Sequence, residues 1–201
     1  MRRILIGVII FALILGAGVV WTAKPGTEDA YAAAQARIQA VREDGERVIR
    51  FNDLANLGDL PPDLVELTEL IQVDLRGTAV RDIALLAELP NLRILSLRET
   101  FVEDLTPLSN LPKLDTLDIS RTWVYDLSPL ITVPALRRID IGGTWIASLE
   151  PALEMRSLDW INMHQSFASD GSKVHYDALA AKGITENNGR AFQQNLSLIH
   201  I

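Results

Sequence analysis

Asp118 and Asp140 lie 22 residues apart, and Asn162 follows after another 22. Placed side by side, these oxygen-bearing side chains would suit a hard cation. A column of like charges is equally served by solvent, or by ion pairs with Arg98, Arg121 or Arg138. His164 falls near Asp140 in the same pattern and would complete half of an acid–base pair. No serine, threonine or lysine nucleophile is set specifically beside them. The three histidines, His164, His175 and His200, have no metal-ligand spacing, and no glycine-rich phosphate loop is present. The chain has no cysteine, which removes thiol nucleophiles, cysteine metal sites, disulfides and a lipoprotein attachment point. Its formal charge of −7 gives nothing for phosphate neutralisation, so nucleic acid is not an expected partner. No catalytic residue, cofactor or small-molecule substrate is expected.

Whatever positions those residues must itself repeat. Leu70, Leu92, Leu114, Leu136 and Leu158 are spaced 22 apart. The clearest copy of the phrase around them runs from Leu92 to Leu108, followed by Leu111-Pro112. In each copy apolar pairs alternate with polar residues: Val73 and Leu75, Leu95 and Leu97, Leu117 and Ile119, Ile139 and Ile141, Ile161 and Met163. A period of two reads as one short strand per repeat. The return path is too long for a hairpin, so successive strands should be parallel. Thr106-Pro107 and Ser128-Pro129 read as a hydroxyl N-cap followed by proline at the first helical position. Further prolines at 90, 112 and 134 keep these segments short.

This phrase resembles the leucine-rich repeat family, in the 22-residue form of bacterial internalin-type proteins, over about half the chain. The resemblance implies an α/β solenoid with a parallel concave sheet and short 3₁₀ or extended convex segments. One repeat cannot bury its own apolar face, so the repeats must stack. Thr78, Thr100, Thr122, Thr144 and Ser166 stand where many such repeats carry asparagine. Their hydroxyls should bond backbone of their own and the neighbouring turn.

Strand residues facing away from the core form three columns. One is Gln72, Ile94, Thr116, Arg138 and Trp160. The second is Asp74, Ser96, Asp118, Asp140 and Asn162. The third is Arg76, Arg98, Ser120, Gly142 and His164, with Gly142 leaving a gap. The residues after the hydroxyl ladder, Ala79, Phe101, Trp123, Trp145 and Phe167, put four aromatics along one edge, with Tyr125 close by. They either pack on one another or form a contact strip for a partner.

Along the chain, residues 1–23 read as a signal anchor: Arg2 and Arg3 precede an uncharged apolar run over residues 4–21, long enough to span a bilayer. A cleaved signal peptide is the competing reading. Residues 24–47 read as a linker and a capping helix, with Thr27 or Asp29 as cap and Tyr31, Ala34, Ile38 and Val41 on one face. Residues 48–168 make the solenoid, its first repeat irregular. Residues 169–190 close it, and 191–201 read as a tail foreign to the native chain. Together these imply a single-pass membrane protein, N-terminus in the cytoplasm, whose repeats face the periplasm or the exterior and bind another protein without catalysis. If the signal is cleaved, the repeats are secreted. The alternatives are an envelope glycan-binding module and, last, an enzyme using Asp118, Asp140 and His164.

Overall fold

The computed structural model describes residues 26–166 and 173–184. The apolar run at 4–21, Phe167 and the 191–201 tail lie outside the described residues. Among those described, no helix is long and apolar enough to cross a membrane.

Helix α1 (Thr27–Asp44) buries Ala30, Ala34, Ile38 and Val41, a stripe at helical spacing, and packs on the first strand. Tyr31 is only half-buried, so the stripe runs through Ala30 instead. The N-cap is Gly26 in the left-handed region, with no side-chain cap bond. Thr27 and Asp29, expected as caps, are inside the first turn, where Asp29 with Glu28 suits the positive end of the helix dipole. Gly45, also left-handed, donates its N–H to Val41 O and ends the helix.

Six three-residue strands follow: β1 (Val48–Arg50), β2 (Gln72–Asp74), β3 (Ile94–Ser96), β4 (Thr116–Asp118), β5 (Arg138–Asp140) and β6 (Trp160–Asn162). They form one parallel sheet in sequence order. From β2 onward every residue faces the one 22 positions later, so Val73, Leu95, Leu117, Ile139 and Ile161 make one row. β1 joins with Ile49 opposite Val73, which settles the register of the irregular first repeat. This row and the next, Leu75, Leu97, Ile119, Ile141 and Met163, are sealed from solvent. Each such side chain contributes roughly 1.5–3 kcal/mol by burial.

The convex side is built of short turns, 3₁₀ at Pro62–Glu66, Ala84–Glu88, Thr106–Leu108 and Ser128–Thr132, and one α-turn, α2 (Glu150–Glu154). The expected hydroxyl caps are corrected here. The amides of Ala84, Thr106 and Ser128 donate instead to Asp82, Asp104 and Asp126, two residues upstream, each at 2.8 Å. A carboxylate is the stronger acceptor, and at that offset it reaches the amide as an Asx turn. In the last repeat Ser148 Oγ does the same for Glu150 N–H at 3.1 Å.

After each strand from β2 onward one residue turns the chain at positive φ: Gly77, Glu99, Arg121, Gly143 and Gln165. The ladder hydroxyls lie next. Thr78, Thr100, Thr122, Thr144 and Ser166 each donate to the carbonyl three residues back, at 2.5–2.7 Å. No bond reaches the neighbouring turn, because a threonine has one donor and the i−3 carbonyl is nearest. At the far end α3 (Lys173–Ala181) packs on α2, buries Leu179, and stops at left-handed Gly183, where Ile184 N–H donates to Leu179 O.

Candidate interaction surface

Two surfaces stand out: the concave sheet face and the rim just past it. On the concave face the strand register brings the three expected columns together. Their polar side chains are largely committed to one another. Asp74 is buried and receives Arg76 Nε at 2.9 Å and Nη2 at 2.7 Å, plus the Arg76 amide at 3.1 Å. Asp118 Oδ1 takes the hydroxyl and amide of Ser120 at 2.6 and 2.9 Å. Asp140 Oδ1 takes Gly142 N–H, and its Oδ2 takes the Asn162 amide, both at 2.9 Å.

The ion pairs expected for this column are therefore corrected. Arg98 and Arg121 both reach Glu99, at 3.2 and 2.9 Å, and Arg138 is exposed without touching either aspartate. Short serine and asparagine side chains lie closer to the carboxylates than the arginine heads, whose length carries them toward water. Among the described residues no hydrogen bond or ion pair joins Asp140 to the His164 ring; Asp140 accepts from Gly142 and Asn162, and the His164 backbone amide donates to Asn162 Oδ1 at 3.0 Å. Among the described residues no cluster of three or more acidic or histidine side chains is placed to hold a metal. Gly142 is not a gap. A Cβ there would meet His164 O at 3.0 Å and Asp140 Oδ1 at 3.1 Å, so neighbouring atoms already border the position closely. Toward β6 the face opens into a groove of about 790 Å³, lined by Thr116, Asp118, Arg138, Asp140, Asp159, Trp160 and Gly183.

The rim carries the aromatics. Past Thr78, Thr100, Thr122 and Thr144 burial alternates along the chain, and Val80, Val102, Val124 and Ile146 point inward with no exposure. Residues on either side of them must point out. Amides link neighbouring rims: Phe101 N–H donates to Val80 O at 3.0 Å and Trp123 N–H to Val102 O at 3.1 Å. These bonds set Ala79, Phe101 and Trp123 in one outward column and Arg81, Glu103 and Tyr125 in the next, and the Ala147 amide, donating to Tyr125 O at 2.7 Å, joins the rim that carries Trp145. Phe101 and Trp123 are in ring contact, centroids 6.4 Å apart and planes tilted by 50°. The other rings are far from covered: Trp123 is 61% exposed, Tyr125 59% and Trp145 69%. Arg81, which sequence reasoning passed over, lays its guanidinium 4.9 Å from the Phe101 centroid. Its signal was available, because Arg81 precedes Glu103 by the same 22 residues as every other column.

Solved structures place this architecture. An internalin, InlF, from Listeria monocytogenes superposes with a TM-score of 0.60 at 19% identity, covering 84% of this chain. Internalin C2 of the same organism gives 0.58 at 19% identity, covering 81% of each chain. The leucine-rich repeat domain of APL1B gives 0.54 at 16% identity, over 73% of this chain and 44% of that one. The chain has a leucine-rich-repeat fold. It spans 59% of the length of InlF. No protein-family model matches the sequence, and no curated protein does so. Leucine-rich-repeat solenoids commonly act by binding other proteins on their extended surfaces.

Proposed function

We propose that this chain is an internalin-type leucine-rich-repeat module that binds another protein and has no catalytic role. The 22-residue spacing of Leu70, Leu92, Leu114, Leu136 and Leu158 and the likeness to internalins support the type. The apolar run at 4–21, with Arg2 and Arg3 before it, supports a membrane tether that holds the repeats in the periplasm or outside the cell. The partner meets the rim strip, Phe101, Trp123, Tyr125 and Trp145 with Phe167 as its continuation, and the open concave residues. These are Arg138, Trp160 and His164, framed by Asp118, Asp140, Arg76 and Arg98.

One observation carries this reading. Two tryptophans and a tyrosine lie more than half exposed on the rim, while Val80, Val102, Val124 and Ile146 take the buried places beside them. Isolated surface apolar residues need no explanation, but a contiguous exposed aromatic patch marks an interaction site. Rings placed only to shield the turns would be largely covered, whereas Trp123, Tyr125 and Trp145 are 61%, 59% and 69% exposed.

The test is cross-linking of the full chain in intact cells, followed by capture and identification of what is attached. Wild type is compared with Trp123→Ala/Trp145→Ala and with Arg138→Ala/Trp160→Ala. Loss of the same partner in either variant, with unchanged melting temperature, is the expected result. An identical partner set in all three proteins refutes the proposed surfaces.

A further inference from the structure

We infer that the rim strip takes an extended, basic segment of the partner, with arginines at alternate positions stacked on successive rings. This rests on the protein-binding reading above and names the chemistry of the partner at one of its surfaces. Three observations lead to it. The first is charge. Asp82, Glu103, Asp104 and Asp126 border the strip in sequence, all are exposed, and among the described residues none is in a salt bridge. The nearby cations are already used: Arg121 pairs with Glu99, and Arg81 covers Phe101. The rim therefore presents net negative charge around exposed aromatic faces, and a cationic partner gains from both.

The second observation is that the chain itself uses this mode once. Arg81 sits over Phe101 at 4.9 Å, a guanidinium on a ring whose flank carries carboxylates. The third is spacing. Phe101 and Trp123 have centroids 6.4 Å apart. In an extended peptide, side chains on one face recur every two residues, about 6.7 Å. A strand laid along this column, perpendicular to the chain of each repeat, thus brings neighbouring same-face side chains over a pair of adjacent rings. Arginine suits that place better than lysine, because its plane stacks while its edge donates to a carboxylate. With Phe101 already covered, Trp123 and Trp145 are the receiving rings.

The probe is a fluorescein-labelled peptide, Arg-Ala-Arg-Ala-Arg-Ala-Arg, titrated with the full chain in non-ionic detergent and read by anisotropy at low salt. Two controls have the same length: one with its four arginines contiguous, one with glutamate for arginine. The alternating peptide should bind roughly fivefold tighter than the contiguous one, and Trp123→Leu/Trp145→Leu should weaken it roughly tenfold, since leucine keeps apolar area without the π face. Glu103→Gln should weaken it less and reduce its salt dependence. Circular dichroism melts confirm that the variants fold, and quenching of tryptophan emission by the unlabelled peptide gives a second reading on the unaltered protein. The inference falls if the glutamate peptide binds equally, or if the leucine variant binds as wild type does. It falls also if soluble peptidoglycan fragments bind in a tryptophan-dependent way where the peptide does not. If the peptide fails while Arg138→Ala/Trp160→Ala still abolishes capture of the cellular partner, the protein-binding reading stands and this inference alone is lost.

Discussion

Arg76→Ala probes how tightly the concave face is sealed, and its cost follows from the geometry of one carboxylate. The Asp74 side chain is 5% exposed, whereas Arg76 is 50% exposed. The guanidinium supplies two well-aligned donors, at 2.9 and 2.7 Å, and its removal leaves Asp74 the Arg76 amide alone. Stripping a buried charge of its partner costs several kcal/mol when both members are enclosed. Here the arginine is half in water, so solvent enters from that side and the figure falls to about 2 kcal/mol. For a chain of this size that corresponds to a loss of about 4–8 °C in melting temperature. Asp74→Asn keeps the amide contact without the buried charge, and in that background Arg76→Ala should cost under about 0.5 kcal/mol. Thermal melts of the four proteins by circular dichroism close the cycle. Additive losses, or an Arg76→Ala melt within about 1 °C of wild type, would show that water replaces the guanidinium and that the face is open at β2. The result bears on function, because a guanidinium committed to Asp74 frames the concave surface and is a poor probe of binding there.

Thr100→Val should cost only about 0.5–1.5 kcal/mol, since Leu97 O keeps the Thr100 amide after losing the hydroxyl; a loss beyond 3 kcal/mol in denaturant melts would mean the ladder couples repeats (roughly twice the single-bond value). Gly77→Ala and Gly143→Ala pay the same conformational penalty, at φ 71° and 70°, but a Cβ on Gly143 also meets Arg121 Cγ at 3.0 Å. Gly143→Ala should therefore melt lower, by about 1 kcal/mol of stability, and equal losses would refute the crowding. The Thr106 hydroxyl and amide hold the Asp104 carboxyl below the usual carboxylate range, and Arg37 does so for Asp53. A folded-state pKa below the unfolded one stabilises above the unfolded value, about pH 4, and is lost as pH falls through the folded value. Asp104→Asn should thus flatten the fall in melting temperature between about pH 5 and 3, and an unchanged acid limb would refute the assignment.

Periodicity made the strands, their parallel register and the membership of each outward column legible, because a repeat of 22 fixes which residues share a row whatever their chemistry. Hydrogen-bond partners were not legible in the same way. Thr106 and Ser128 had the right type for caps, yet the aspartates two residues earlier had the better reach. Asp118 and Asp140 looked like partners for distant arginines, yet Ser120, Gly142 and Asn162 were nearer. Spacing ranks residues by face, whereas bonding depends on side-chain length and turn geometry within a few ångströms. The positive-φ row shows the same limit. Gly77 and Gly143 advertise it, while Glu99, Arg121 and Gln165 adopt it with no glycine to signal the turn.

The exposure of the rim aromatics follows from that turn. Once a left-handed residue reverses the chain, the next extended stretch alternates, and Val80, Val102, Val124 and Ile146 take the inward places. Phe101, Trp123 and Trp145 then have no inward position to occupy. Ala79 fills the equivalent place on the first rim, so the fold does not require a ring there. Tryptophan at such a position adds little to the core and leaves a large apolar surface in water. A selective reason for it must lie outside the solenoid's own packing, which is why the rim, more than the concave columns, is where the partner should first be sought.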